Sequence, residues 1–279
     1  MMGERRRREA RDFRRAQPRY VNAPFEWRDE GGIPWLECPL GDARAAFSTR
    51  SGGVSDGPYE SLNLGILTDD DPARVSRNRD LLAGVLGREP AAVAMGWQVH
   101  GPDVQVHHGP PPPGRQGFGS PGDDLARVDA QVTDSPGVTP LVLVADCVPL
   151  ALAAPGGVAM VHCGWRGVAA GVVERAVAAL RTVAGHGGVR AAIGPAIGPC
   201  CYEVGPEVSE VFVRNGHEDA VAGRMLDLPH VVRCELEALG VTAIACADLC
   251  VSCHPELFFS PRRDGGVTGR QAGLAWLAR

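Results

Sequence analysis

Three residues stand out by type and setting: His100 in WQVHG, Cys147 in VADCVPL and His162 in VHCGWRG. Each falls at the expected end of an apolar strand. There a side chain leaves the sheet on a fixed backbone and meets a cleft. Two imidazoles and a thiolate suit Zn²⁺, and three protein ligands leave the fourth tetrahedral position open, as in catalytic sites. The same set with a weak axial ligand describes a blue-copper centre. The spacings, 47 and 15 residues, form no compact motif. A buried cysteine with two hydrogen-bonded histidines fits them as well.

A second constellation follows directly. Gly164-Trp165-Arg166-Gly167 is the expected start of a helix, and helix N-termini present free amides to phosphate or carboxylate. Arg166 would add a forked cation; the plainer reading is an exposed arginine on a Gly-rich turn. Ser48-Thr49-Arg50-Ser51-Gly52-Gly53 has the look of an anion loop without the lysine of a nucleotide-binding loop. Cys250-Val251-Ser252-Cys253-His254 matches a haem-attachment string. Covalent haem attachment needs export, and no apolar signal segment is read near residue 1. As a redox or zinc pair, Cys250 and Cys253 lack a second cysteine pair at finger spacing. Adjacent Cys200 and Cys201 are expected to be packing residues beside a Gly-Pro loop. Arg262, Arg263 and Asp264 read as a solvated turn.

Elements must hold these residues in place. Asp71-Pro72 caps and opens a helix carrying Val75, Leu82 and Leu86, which stops at Gly87. Residues 91–100 read as a strand ending at His100. Residues 109–124, with four successive prolines, must be a surface loop. Residues 141–145, 149–153 and 158–162 read as apolar strands, with a turn at Pro155-Gly156-Gly157. Val168, Val172, Val173, Val177 and Leu180 follow one 3.6 period ending at Gly185. Residues 189–193 and 241–246 are expected strands, and a helix should run from an Asp227 cap to Gly240. Strand–turn–strand and strand–helix–strand units alternate without an internal repeat. The expected fold is α+β, one domain of mixed β-sheets layered with helices over residues 21–279.

Composition narrows the function classes. The chain has 279 residues and a formal charge of −5, with 28 basic residues, all arginine. The absence of lysine excludes Walker-A loops, PLP Schiff bases and lysine bases. The overall charge does not match a nucleic-acid partner, and no apolar run is long enough to span a bilayer. Residues 1–19 carry eight arginines against Glu4, Glu9 and Asp12. Residues 1–20 are therefore expected to be a solvated, disordered tail. A cytoplasmic location and reduced cysteines are expected.

Seven blocks together resemble a known family: FSTRSGGVS (47–55), SLNLG (61–65), QVHG (98–101), ADCVPL (145–150), HCGWRG (162–167), IGPAIGPCCYEVG (193–205) and FFSPRRDGGVTGR (258–270). This is similar to the laccase-domain family, first labelled multicopper polyphenol oxidoreductases and now understood mainly as zinc-binding purine nucleoside phosphorylases. The resemblance covers about residues 40–279 and implies a single mixed α+β domain. It places the family's metal ligands on His100, Cys147 and His162. Cys163 stands where the family has alanine, and Val251 where it has a threonine hydroxyl.

The resemblance implies phosphorolysis of adenosine, inosine, guanosine and methylthioadenosine, with adenosine deamination as a side activity. Inorganic phosphate would displace the purine from ribose C1′ through an oxocarbenium-like transition state. Arg166 with the helix N-terminus, Arg50, and Asn63 of the SLNLG block are the expected substrate and phosphate residues. The metal would act as a Lewis acid or template. In deamination, water would attack purine C6. Asp146 is a candidate proton donor or, alternatively, a structural acceptor. Competing classes are a copper oxidoreductase of phenols, a cysteine hydrolase built on Cys147 and acting on a cell-wall precursor, and a non-catalytic metal module. Only eight histidines, two of them at motif positions, argue against multicopper chemistry. The oligomeric state is not legible.

Overall fold

A computed structural model describes residues 22–110, 118, 125–184 and 187–278. The arginine-rich tail, most of the proline loop and the expected helix stop at Gly185 lie outside these residues. The strands, in chain order, are β1 (Glu26–Glu30), β2 (Ile33–Leu40), β3 (Ala43–Ser48), β4 (Val93–Ala94), β5 (Val104–His107), β6 (Ala130–Thr133), β7 (Thr139–Val144), β8 (Val148–Ala154), β9 (Gly157–Cys163), β10 (Arg190–Ile193), β11 (Val221–Ala222), β12 (Met225–Leu226), β13 (Ala243–Cys246) and β14 (Gln271–Leu277). The α-helices are α1 (Pro72–Val85), α2 (Trp165–Ala169), α3 (Val172–Val183), α4 (Pro206–Arg214) and α5 (Leu228–Ala238).

Two six-stranded sheets form the centre, in the orders β1-β2-β3-β14-β7-β4 and β13-β10-β8-β9-β6-β5. Both are mixed: β4 with β7, β5 with β6, and β10 with β13 are parallel pairs among antiparallel ones. This is the expected α+β class. Alternation along the strands divides the apolar residues between layers. Ala151, Ala153, Val158 and Met160 meet Leu36, Cys38, Phe47 and Ala275 between the sheets. Leu150, Leu152, Ala159 and Val161 face the other way, onto Val173, Val177 and Leu180 of α3 and Val231 and Val232 of α5. Leu82 and Ala83 of α1 cover Trp35, Leu141 and Leu274 on the outer face of the first sheet. The sheets approach so closely at Gly273 that an added Cβ would collide with Met160 and press on Pro149.

The caps follow the sequence signals. The Asp71 carboxylate accepts from the Ala73 amide (2.9 Å), and Asp227 accepts from His230 (3.0 Å). Gly87 and Gly240, just past α1 and α5, take φ values of 61° and 76°, which a side chain would strain.

Two expectations are corrected. Residues 91–100 are not one strand: only Val93–Ala94 pair, and the chain then runs irregularly through His100. Nor does one helix carry the 168–180 periodicity. Gly171 adopts φ 85° and breaks it into α2 and α3, while Val168 and Val172 both stay buried. The apolar period survives the break, so the sequence pattern hid it.

Candidate active site

His100, Cys147 and His162 come together, their ligand atoms all within 4.8 Å of one another. His162 sits in β9, paired to Pro149 of β8, and is almost fully buried. Cys147 immediately precedes β8. Its neighbour Asp146 takes φ 86°, a left-handed turn that swings the chain into the strand. The His100 Nε2 atom lies 3.9 Å from the Cys147 sulfur, and the two imidazoles meet edge to face at 4.8 Å.

His100 itself has φ 59°, in an irregular segment fixed by two side chains. Gln98 brackets Leu143 of β7, donating to its carbonyl (2.7 Å) and accepting from its amide (2.8 Å). Asp129 accepts from the amides of Val99 (3.0 Å), His100 (2.9 Å) and Gly101 (2.9 Å), and from Nδ1 of His162 (2.7 Å). One buried carboxylate thus positions both histidines. It leaves Nε2 of His162 as the nitrogen free for a ligand, the carboxylate–histidine arrangement common around metals. Burial raises the Asp129 pKa, but these hydrogen bonds outweigh it and hold the group below its ordinary range. Asp129 was missed by the sequence reading. Its only local signal is an acid directly before the apolar strand β6.

The charges around the trio reinforce one another. Burial opposes the Cys147 thiolate, yet the imidazoles of His162 and His100 lower its pKa. Burial likewise opposes the His162 imidazolium, but Cys147 and Asp129 raise it. A thiolate and two imidazoles converging at this range are a donor set for a soft or borderline cation. Gly164 closes the site from the α2 side: a Cβ there would stand 2.6 Å from His100 Cδ2 and 3.4 Å from the Cys147 sulfur.

The trio lines a cavity of ≈ 330 Å³. Its walls are mainly apolar, with Met95, Leu143 and the exposed Leu67 beside Gln98 and Arg270. Arg166 lines a second, more polar cavity with Trp165, Tyr202, Glu203, Arg224 and Arg262. Its guanidinium stacks on the Trp165 ring at 4.4 Å. Tyr202 adjoins both regions: burial, followed by the nearby Cys147 thiolate, pushes its pKa up to about 12.

The other expected residues have different places. Helix α2 is only five residues long, so the expected anion-binding helix end has little dipole behind it. Arg50 and Asn63 line neither cavity. Arg50 donates to the carbonyls of Glu60 (2.7 Å) and Pro255 (3.0 Å) and stacks on Phe259. Asn63 is fully buried and binds Thr68, Asp70 and the Arg270 amide. Both hold loops behind the cavity. The arginines in the cavity wall are Arg79 and Arg270, neither of them among the expected substrate residues. Asp146 takes the structural alternative: its carboxylate accepts from the Ser260 hydroxyl (2.6 Å) and the Arg262 amide (2.9 Å). The expected solvated turn at 262–264 is therefore tied to the site. Cys201 is half-buried and packs against the core between the sheets, as expected of a packing residue, whereas Cys200 is exposed; both lie beside Cys253.

Comparison with known proteins places the chain in a family. Residues 44–278 match the family model described as multi-copper polyphenol oxidoreductase laccase. The chain belongs to this laccase-domain family. It is 38% identical over 255 residues to a Shigella flexneri protein named purine nucleoside phosphorylase YfiH, covering 88% of this chain and 98% of that one. To a Streptomyces coelicolor protein named purine nucleoside phosphorylase SCO2081 it is 42% identical over 242 residues, covering 84% and 96%. The crystal structure of YlmD from Geobacillus stearothermophilus superposes with a TM-score of 0.76 at 33% identity, over 92% of this chain and 100% of that one. The crystal structure of a Bacillus licheniformis protein described as hypothetical protein YfiH gives 0.82 at 30% identity, over 92% of this chain and 100% of that one. Among the described residues no helix is long and apolar enough to cross a membrane.

Proposed function

We propose that the protein is a purine nucleoside phosphorylase that binds Zn²⁺ through His100, Cys147 and His162. The observation that carries this reading is a His₂Cys donor set lining an apolar cavity, with an arginine-bearing cavity built in part from Trp165 and Arg166, directly after the strand of His162. The names of the relatives support the same activity.

The apolar cavity suits a purine face, with Leu67 and Met95 as walls and Gln98 held rigid by its paired bonds to β7. Arg166 and Arg262 suit inorganic phosphate, because a guanidinium offers two parallel donors to an oxyanion. Arg224 in the same cavity is paired with Glu203 at 3.1 Å. Arg270, on the purine side, is directed to the Thr268 and Gly269 carbonyls and shapes the wall. Bound Zn²⁺ would supply a Lewis acid at the wall of the apolar cavity. Asp129 keeps His162 in the tautomer that directs Nε2 inward, and Gly164 leaves room for the His100 ring. Adenosine deamination would be a separate reaction, in which water forms a bond to purine C6 and the 6-amino group leaves as ammonia; bound Zn²⁺ would supply the polarisation of that water.

The test is release of free base and ribose 1-phosphate from inosine or adenosine. Product should require added phosphate and should disappear in Cys147→Ala. Base release independent of phosphate would replace the reading with a hydrolase. Phenol oxidation on copper loading, without nucleoside turnover, would replace it with an oxidoreductase.

A further inference from the structure

Four thiols meet on the protein surface outside both cavities. Strands β10 and β13 are parallel neighbours, in register from Arg190–Ala243 to Ile193–Cys246, so their continuing chains leave the sheet side by side. The two segments stay joined. The Ala196 amide donates to the Leu249 carbonyl (3.2 Å) and the Val251 amide to the Ala196 carbonyl (3.0 Å). This places Cys200 and Cys201 of one segment against Cys250 and Cys253 of the other. All four sulfurs lie within 4.8 Å of one another, with Cys253 at 3.6 Å from Cys200 and 3.5 Å from Cys201.

These separations suit a tetrahedral cation. A Zn–S bond of ~2.3 Å puts neighbouring sulfurs of a ZnS₄ unit about 3.8 Å apart, whereas a disulfide needs about 2.05 Å. The second cysteine pair that a C-x-x-C zinc site requires is thus the adjacent pair Cys200-Cys201, brought in by strand pairing. The backbone is also arranged for thiolates. The Gly198 amide donates to the Cys250 sulfur at 3.3 Å, and the Cys253 amide closes the turn on the Cys250 carbonyl (3.1 Å).

We propose that Cys200, Cys201, Cys250 and Cys253 bind one Zn²⁺ as a closed, structural site, distinct from the His100–Cys147–His162 centre. Four protein sulfurs leave no open coordination position, the mark of a structural rather than a catalytic zinc. The site would staple the segment bearing Tyr202 to the one leading to Arg262. Arg263 already donates to the Val251 (3.0 Å) and Phe258 (3.0 Å) carbonyls there. A metal at the cysteines would therefore brace the arginine-bearing cavity from behind.

The experiment measures metal content of the full-length chain purified after growth in zinc-supplemented medium. Two Zn²⁺ per chain are expected, falling to one in Cys147→Ala and to one in Cys200→Ser/Cys253→Ser. Because the double variant could misfold, the wild-type protein is also alkylated with iodoacetamide before and after chelation and mapped by mass spectrometry. All four cysteines should be protected in the zinc-loaded protein and react after the metal is stripped. A single Zn²⁺ that vanishes in Cys147→Ala, rapid alkylation of Cys200 and Cys253 in the loaded protein, iron in place of zinc, or a disulfide within the cluster would each overturn the proposal.

Discussion

The Asp129 carboxylate accepts from Nδ1 of His162 at 2.7 Å while the other protons it receives come from the backbone of residues 99–101. Oδ1 takes His162 and the His100 amide; Oδ2 takes Val99 and Gly101. Asp129→Asn must therefore aim its NH₂ group at two donors whichever way it turns. Leaving buried donors unmet costs ~1–3 kcal/mol. Loss of a carboxylate behind a ligating histidine typically weakens metal affinity by about 10–100-fold. A competition titration with a chromophoric chelator should show that drop. Unchanged affinity would mean that His162 does not ligate through Nε2.

Gly164→Ala tests the closeness of the site. The new Cβ, 2.6 Å from His100 Cδ2, must displace the ring or the turn that carries it. Metal content and nucleoside cleavage should both fall by at least tenfold, while melting shifts by only a few degrees. Normal zinc content would show that the His100 ring moves aside without cost.

Arg166→Ala tests the division of labour between cavities. A charged hydrogen bond to phosphate is worth ~1.5–3 kcal/mol, or about 10–150-fold. The phosphate KM should rise in that range and the nucleoside KM far less. Equal rises in both constants would place Arg166 with the nucleoside instead.

Glu235 supplies a pH test away from the site. Burial, then the nearby Glu174 carboxylate, push its pKa up to about 7. The folded state therefore holds this proton more tightly than the unfolded chain. Its contribution is intact below the ordinary carboxylate range and is lost as pH rises through about 7. Glu235→Gln should leave stability near pH 4.5 unchanged and add ~1–2 kcal/mol near pH 8. Denaturant midpoints at the two pH values check it; equal effects at both would place the cause in packing.

The local part of this architecture was legible. Asp71-Pro72 and Asp227 mark helix starts because a cap acts within three residues, and β8 and β9 read as strands because buried apolar runs need no partner to be seen. The His100, Cys147 and His162 trio was legible as residue types in motif blocks. Its geometry was not: His100 is held by Gln98 reaching Leu143 and by Asp129, contacts spanning 28 residues or more. That the two cysteine pairs meet was not legible for the same reason, since only the parallel pairing of β10 and β13 joins residues 52 or 53 positions apart. Arg50 and Arg270 could not be ranked from sequence, because which of two arginines faces a cavity depends on the loops folded behind them.

The central place of β14 has a consequence for how the protein is made. It lies between β3 and β7, pairing Gly273 with Phe47, more than two hundred positions earlier. A ribosome adding about 5–20 residues per second leaves the edge of β3 without that partner for on the order of ten seconds or longer. Through that interval the nascent chain carries an open, apolar strand edge of the kind that recruits other strands. Holding that edge apart until β14 emerges is a task for chaperones, and slower translation lengthens the exposure.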